Sequence, residues 1–404
     1  FKGSELIDAA SPAQGAATRS VKLEQPPVGL YVHLPWCVKK CPYCDFNSHE
    51  LRGALPEADY RRALIEDLTR EYSGAPFTEV RSVFFGGGTP SLFPAATIES
   101  CLQWLDDRGL LASGAEVTLE ANPGTLEKGS FAAFAAAGIN RVSLGVQSFS
   151  DRSLQRLGRI HDAGEAWRAI DDINGAGIGR FNLDLMYGLP DQTPDEAFGD
   201  LAVALSAEPS HISHYQLTIE PNTLFHARPP PLPGDDSIWE AHLRCSALLA
   251  ERGYRRYEVS AYALPGFECI HNLNYWRFGD YIGVGAGAHG KRTFPTQDRV
   301  VRTVRTRHPS AYMGGLPVVQ ESREIPAADR VFEFMLNATR LTGGFDERLF
   351  ESTTGQPIGS VAPRLREAVN LGLLERIGPR GWRPTDRGQR FLNDLQVLFL
   401  PDDA

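Results

Sequence analysis

The run Tyr31-Val32-His33-Leu34-Pro35-Trp36-Cys37-Val38-Lys39-Lys40-Cys41-Pro42-Tyr43-Cys44 places three thiols within eight residues of a β-rich segment. A [4Fe–4S] cube has four irons, normally held by four Cys thiolates. Cys37, Cys41 and Cys44 supply three, so one iron would stay open to a small molecule. Structural zinc is the competing reading, and it prefers four closed ligands, often in paired Cys units. No second pair follows, and His49 is the one nearby candidate for a fourth zinc ligand. The spacing favours the cluster and leaves zinc open.

The surroundings of that run are those of a water-soluble globular chain. It has 404 residues, room for two domains, with 42% hydrophobic and 23% charged residues. A formal net charge of −9 gives no electrostatic footprint for nucleic acid. No apolar run reaches membrane-spanning length, which leaves peripheral membrane contact open. Six Cys, three of them clustered, suit a metal site in a reducing compartment, the cytoplasm, better than a disulfide scaffold. Residues 1–26 are rich in Ala, Ser, Gly and Pro and read as a disordered arm without a secretory signal.

Downstream, short β-rich runs alternate with helical patterns. Strands are expected over Gly29–Pro35, Ser82–Phe85, Glu116–Glu120, Arg141–Gly145, Arg180–Met186 and His211–Leu217. Helices are expected near 59–72, 95–107, 127–137, 163–175, 193–206 and 236–252. Six β-then-α units imply an α/β fold with a parallel sheet, and the strands read as nearly continuous apolar runs. Periodicity leaves two closures open: a doubly wound sheet, or a (β/α) barrel lacking its last strands. Both put chemistry at the carboxyl ends of the strands. A further strand is expected over Tyr257–Tyr262. The domain reading is 27–290 for the core, 291–325 for an irregular connector, and 326–404 for a C-terminal domain. In that domain, helices over Ala328–Arg340 and Pro363–Leu371, a small β-wing and a last helix over Gly388–Leu398 resemble a winged-helix module.

Polar and glycine residues mark the strand ends. Gly86-Gly87-Gly88-Thr89 lets backbone groups approach a ligand closely. Glu120 could accept hydrogen bonds from hydroxyls, and Gln147 offers both a donor and an acceptor. Arg159 could pair with a carboxylate. Asp184 puts a charge inside an apolar strand, which is costly unless paired or functional.

Taken in order, these motifs resemble the coproporphyrinogen-dehydrogenase-like branch of the radical S-adenosylmethionine (SAM) superfamily, over roughly residues 28–290. The C-terminal region resembles that branch too. The resemblance favours the partial (β/α)6 radical SAM barrel. It implies a [4Fe–4S] cluster on Cys37, Cys41 and Cys44, whose open iron chelates SAM. It also implies a SAM pocket lined by Tyr31, Gly87, Gly88, Thr89, Glu120, Gln147, Arg159 and Asp184.

Two functions remain within the branch. One is the oxygen-independent oxidase that decarboxylates coproporphyrinogen; the other is a haem chaperone that binds haem and delivers it to acceptor proteins. The oxidases carry a fourth Cys two residues after the third, where this chain has Phe46. The run His271-Asn272-Leu273-Asn274-Tyr275-Trp276 resembles a motif of the chaperone group. That resemblance implies haem as a third cofactor, with His271 as its axial ligand and Tyr275 and Trp276 packed on the porphyrin. His289 could line the SAM pocket or pack in the Gly-rich turn. The expectation is a haem chaperone with weak or absent oxidase activity and no assigned catalytic residue. A homodimer is left open.

Overall fold

The computed structural model describes residues 21–125, 130–315 and 318–401. Six strands, β1 (Val28–Leu34), β2 (Val80–Gly87), β3 (Leu111–Ala121), β4 (Arg141–Gln147), β5 (Phe181–Tyr187) and β6 (His211–Gln216), lie side by side in chain order. Every neighbouring pair among them is parallel. The helices that follow them are α1 (Glu57–Gly74), α2 (Ala95–Asp106), α3 (Ser130–Ala136), α4 (Ala163–Gly175), α5 (Pro194–Leu205) and α6 (Asp235–Glu251). Right-handed crossovers that always step to the next strand put every helix on one face. That order decides between the two closures in favour of the partial barrel, because a doubly wound sheet reverses its strand order. Local sequence starts the helices firmly. Capping boxes pair Asp162 with Glu165 before α4 and Thr193 with Glu196 before α5, where Pro194 takes the first helical position.

The continuous apolar reading of the strands holds on one face only. Toward the helices stand Leu30, Val32, Leu34, Val83, Phe85, Val117, Leu119, Val142, Leu144, Leu183 and Ile212, all nearly solvent-free. The alternate residues face the concave side and are polar: Glu116 and Glu120 from β3, Arg141 and Ser143 from β4, Asn182 and Asp184 from β5, His211 and Ser213 from β6. Several of them satisfy one another. Asn182 Nδ2 donates to Ser143 Oγ at 2.8 Å, and His211 Nδ1 lies 2.7 Å from Asn182 Oδ1. A polar lumen walled by an apolar shell follows from the two-residue strand period.

The barrel stays open because both of its edges take other partners. On the β6 side, the strand expected over Tyr257–Tyr262 forms as β7 (Ala261–Ala263), antiparallel to β6. On the β1 side, β8 (Asp280–Val284) pairs in parallel. The region 291–325, expected to be irregular, instead continues the sheet. β9 (His289–Phe294), β10 (Arg299–Arg305) and β11 (Val319–Glu324) form an antiparallel ribbon, and with the short strand Arg255–Arg256 beside β7 the sheet counts twelve strands. Their charged, short sequences look like loop until the ladder and buried ion pairs are counted. Lys291 Nζ lies 3.0 Å from Asp280 Oδ1, and Arg305 reaches Asp67 at 3.0 Å and Glu71 at 2.7 Å.

Within the expected N-terminal arm of 1–26, Leu23 and Gln25 pack into the fold. Residues 1–20 lie outside the described residues. Leu23 is buried with Val300 and Ile325, and Gln25 Nε2 donates to Asp280 at 3.0 Å. Under the concave side, α7 (Ile270–Trp276) carries the His-Asn-x-x-Tyr-Trp run.

The C-terminal unit has its own core around Phe334, which meets Phe345 and Phe350 edge-on at 5.2 Å. Its elements are α8 (Ala327–Ala338), α9 (Glu347–Thr354), α10 (Ala362–Asn370) and a hairpin of Leu374–Ile377 with Gly381–Pro384. The expected last helix is two, α11 (Asp386–Arg390) and α12 (Leu392–Val397), broken at Phe391, whose ψ of 47° is not helical.

Candidate functional site

The carboxyl ends of β2 to β6 and the Cys loop enclose a cavity of about 330 Å³. It is lined by Cys37, Cys41, Cys44, Gly87, Gly88, Thr89, Glu120, Gln147, Arg159 and Asp184. Strands thus gather ten residues spread over 148 positions of sequence. The Cys loop is held onto this mouth by backbone hydrogen bonds. Thr89 N–H donates to Trp36 C=O at 2.8 Å, and Cys44 N–H donates to Cys41 C=O at 3.1 Å. Lys40 Nζ donates to Phe46 C=O at 3.0 Å.

Around the thiols the chemistry is that of an anion-stabilising, ligand-ready rim. Arg159 Nη1 lies 3.5 Å from Cys41 Sγ, and its Nη2 donates to Gly145 C=O at 2.6 Å. Its Nε is buried without a partner, so the side chain keeps an unused donor beside the cavity. Burial pushes the Cys37 and Cys44 thiols above their ordinary range. Among the described residues, no three His, Cys, Asp or Glu side chains converge as ligands of a single ion would. His49, the zinc alternative's fourth ligand, stands in another cavity against the His308 ring. A cube spreads its thiolates more widely than one tetrahedral ion does, and three Cys facing one cavity fit it.

Glycine is required in the loop opposite. Gly87 has φ +122°, and a Cβ there would come within 2.6 Å of the His33 ring. A Cβ on Gly88 would come within 2.6 Å of Trp36 C=O. Gly87 N–H donates to Glu120 Oε2 at 3.0 Å. Burial and the nearby Asp184 charge push the Glu120 carboxyl up to about 8. Burial likewise raises Asp184, against hydrogen bonds from Asn182 at 2.8 Å and Ser143 at 3.2 Å. Both acids are poised to ionise against a cationic, hydroxyl-bearing ligand. Gln147 sits at φ +69°, a strained conformation for a non-glycine residue, and its Oε1 accepts from Tyr215 Oη at 2.6 Å.

Tyr31 stands apart from the lining. Its Oη meets His33 Nδ1 at 2.9 Å and its ring packs near Phe84 and His271, so it supports the floor. His271 lies still deeper, 2% exposed. Its Nδ1 is 3.0 Å from Ser82 Oγ, and its ring stacks on Phe84 at 5.0 Å and meets Tyr275 edge-on. Nε2 is buried and unpartnered. The implied axial ligand is therefore a plug of the barrel base in this arrangement, and no porphyrin reaches Nε2 unless α7 moves. Tyr275 packs on Tyr281, and Trp276 lies under Arg340. His289 is exposed at the start of β9 and does not line the pocket. Phe46 is exposed at the pocket mouth.

Sequence reading missed Ser143, Gly145, Ser213, Tyr215, Asn122 and Tyr43, which also line the cavity. The strand period would have found several. Ser143 and Gly145 share a face with Gln147, and Ser213 and Tyr215 share theirs with each other.

Comparisons with known proteins agree with this geometry. Residues 31–202 match the radical SAM superfamily, and residues 325–391 match the HemN C-terminal domain. The chain is 50% identical over 377 residues to the heme chaperone HemW of Escherichia coli, covering 93% of this chain and 99% of that one. The chain belongs to the HemW family. A Haemophilus influenzae HemW is 46% identical over 382 residues, covering 94% and 99% of the two chains. The E. coli coproporphyrinogen III oxidase HemN superposes with a TM-score of 0.77 at 20% identity, over 93% of this chain and 90% of that one. That likeness shows a shared fold, whereas sequence groups the chain with HemW.

Proposed function

We propose that this protein is a haem chaperone, binding haem and passing it to acceptor proteins, and that it carries a [4Fe–4S] cluster and SAM. The observation that carries the reading is the near-full-length identity to the E. coli heme chaperone, 50% over 93% of the chain. Phe46 in place of the oxidases' further Cys supports the same side.

Cys37, Cys41 and Cys44 would hold three irons of the cluster. When bound, the pair supplies one-electron chemistry at the sulfonium of SAM, and that chemistry is the cofactors' own. The chain's residues bind and orient. Gly87 and Gly88 admit the ligand close to backbone, and the Thr89 side chain lines the same loop. Glu120 takes hydroxyl hydrogen bonds, Arg159 offers its free Nε to a carboxylate, and Asp184 and Gln147 close the far wall. No helix among the described residues is long and apolar enough to cross a membrane. Six free thiols suit the reducing cytoplasm, and acceptors there, or on a membrane the chain touches peripherally, are the partners we infer.

The test is anaerobic cluster reconstitution, haem loading, and mixing with a haem-free haemoprotein. Transfer of the haem spectrum to the acceptor is expected, with no protoporphyrinogen formed from coproporphyrinogen. Rapid porphyrinogen decarboxylation without haem retention would overturn the reading in favour of the oxidase.

A further inference from the structure

The polar lumen of the barrel joins the cluster cavity to α7 by an unbroken row of hydrogen bonds. Asp184, which lines that cavity, accepts from Asn182 Nδ2 at 2.8 Å. Asn182 Oδ1 lies 2.7 Å from His211 Nδ1. His211 Nε2 lies 2.8 Å from Tyr257 Oη. Tyr257 Oη accepts the Cys269 N–H, just ahead of α7, at 3.3 Å. A second tie reaches the same turn from β3. Glu116 Oε1 accepts the His271 N–H at 3.1 Å and the Cys269 thiol at 3.4 Å.

The row has one direction. Burial holds His211 well below its ordinary range, so its ring is neutral and carries a single N–H. Asn182 turns its oxygen toward that ring, because its nitrogen donates to Asp184 and to Ser143. Nδ1 is therefore the donor, and Nε2 accepts from the Tyr257 hydroxyl. Every proton in the row points toward Asp184. The two sides of α7 differ. Its inner side carries the ties to Glu116 and Tyr257. On its outer side Ile270, Leu273 and Asn274 line a cavity of about 340 Å³, shared with α9 and residues 24–28. That cavity gives α7 room to swing outward, the movement that uncovers His271 Nε2.

We propose that Asn182, His211 and Tyr257 couple the two ends of the lumen, so that SAM in the cluster cavity holds α7 shut over His271 and lowers the affinity for haem. The inference rests on the chaperone reading, with haem taken at His271, and adds a control to it: the arrival of SAM is a signal to release haem. The three are positioning residues and touch neither ligand. A cationic ligand beside Asp184 favours its ionised form, and an ionised acceptor makes a shorter, stronger hydrogen bond. Hydrogen bonds in line polarise one another. The Tyr257 proton is then drawn toward His211, and Tyr257 Oη accepts the Cys269 N–H more strongly. α7 is the element with two positions that such coupling needs. Tightening its first turn favours the closed one, in which Nε2 is buried without a partner.

The experiment is hydrogen exchange over residues 269–276, read by mass spectrometry, together with ferric haem titration. Both use the full, cluster-reconstituted chain with and without SAM, as wild type and as Tyr257→Phe. SAM affinity, iron content and melting temperature are the controls. In wild type, SAM should slow α7 exchange and weaken haem binding by about fivefold or more, and haem should weaken SAM by the same factor. In Tyr257→Phe, SAM should bind as in wild type and leave α7 exchange and haem affinity unchanged. Wild-type α7 exchange that ignores SAM would overturn the coupling and leave the chaperone reading intact. So would a Tyr257→Phe protein that keeps the whole effect, or an equal slowing over α10, which would mark general stabilisation. Wild type that binds no haem would overturn the chaperone reading, and the exchange measurement would still decide the row.

Discussion

Gly87 N–H donates to Glu120 Oε2 across 3.0 Å, tying the glycine loop of β2 to the end of β3. The contact needs the backbone twist at Gly87, φ +122°, with the His33 ring packed where a side chain would begin. Each strand end thus fixes its neighbour before any cofactor arrives.

Gly87→Ala should break that tie. A non-glycine residue in so sparsely populated a conformation costs about 1–3 kcal/mol, and the His33 clash adds to it. The expected result is a lower urea midpoint and no calorimetric SAM binding to the reconstituted protein. Unchanged binding would show that the loop does not cradle the ligand.

Glu120 gives the empty protein a pH signature. Its carboxyl ionises near 8 when folded, against 4.5 ordinarily. The folded state therefore holds a proton that the unfolded state has lost between these values. Its contribution is full below pH 4.5 and is lost as pH rises toward about 8. Glu120→Gln should flatten that decline in melting temperature from pH 5 to 8. An equal slope in both proteins would assign the decline elsewhere.

Gln147 holds strain beside the cavity. Gln147→Gly should relieve roughly 1 kcal/mol of left-handed backbone cost while losing about 1 kcal/mol from the Tyr215 hydrogen bond. Stability should barely change while SAM affinity falls. A large loss of stability with SAM affinity intact would mark Gln147 as structural alone.

Cluster against zinc can be decided by the metal itself. Cys37→Ser, Cys41→Ser and Cys44→Ser should each abolish stoichiometric iron and sulfide, and His49→Ala should retain both. Tight zinc lost on changing His49 would restore the alternative.

Lys291 and Asp280 anchor the antiparallel extension, both nearly solvent-free. Removing one partner of a buried pair costs about 3–5 kcal/mol. Lys291→Met should lower urea stability by that order, and Asp280→Asn added to it should recover part of the loss. Each change alone costing under 1 kcal/mol would contradict a buried pair.

Much of the scaffold was readable in one dimension because the signals are local. Asp162 with Glu165 and Thr193-Pro194 with Glu196 announce helix starts, and the spacing of the three Cys favours a cluster over zinc. The ribbon over His289–Phe294 and Arg299–Arg305 was not readable. Arg292, Arg302 and Arg305 look solvated in sequence, and only Glu71 and Asp67 across the fold let Arg292 and Arg305 be buried, with Glu333 holding the half-buried Arg302. His271 shows the same limit. Its motif marks it for chemistry, yet burial against Ser82 and Phe84 decides what it touches.

Sequence alone determined the order of six β-then-α units, the three thiols and the strand-end residues, since each depends on neighbours along the chain. Tertiary structure alone decided that the sheet curves and stays open and that the ribbon completes it. It also decided that Asn182, His211 and Tyr257 join Asp184 to α7. These depend on contacts between residues far apart in sequence, where burial, and not spacing, sets the free energy.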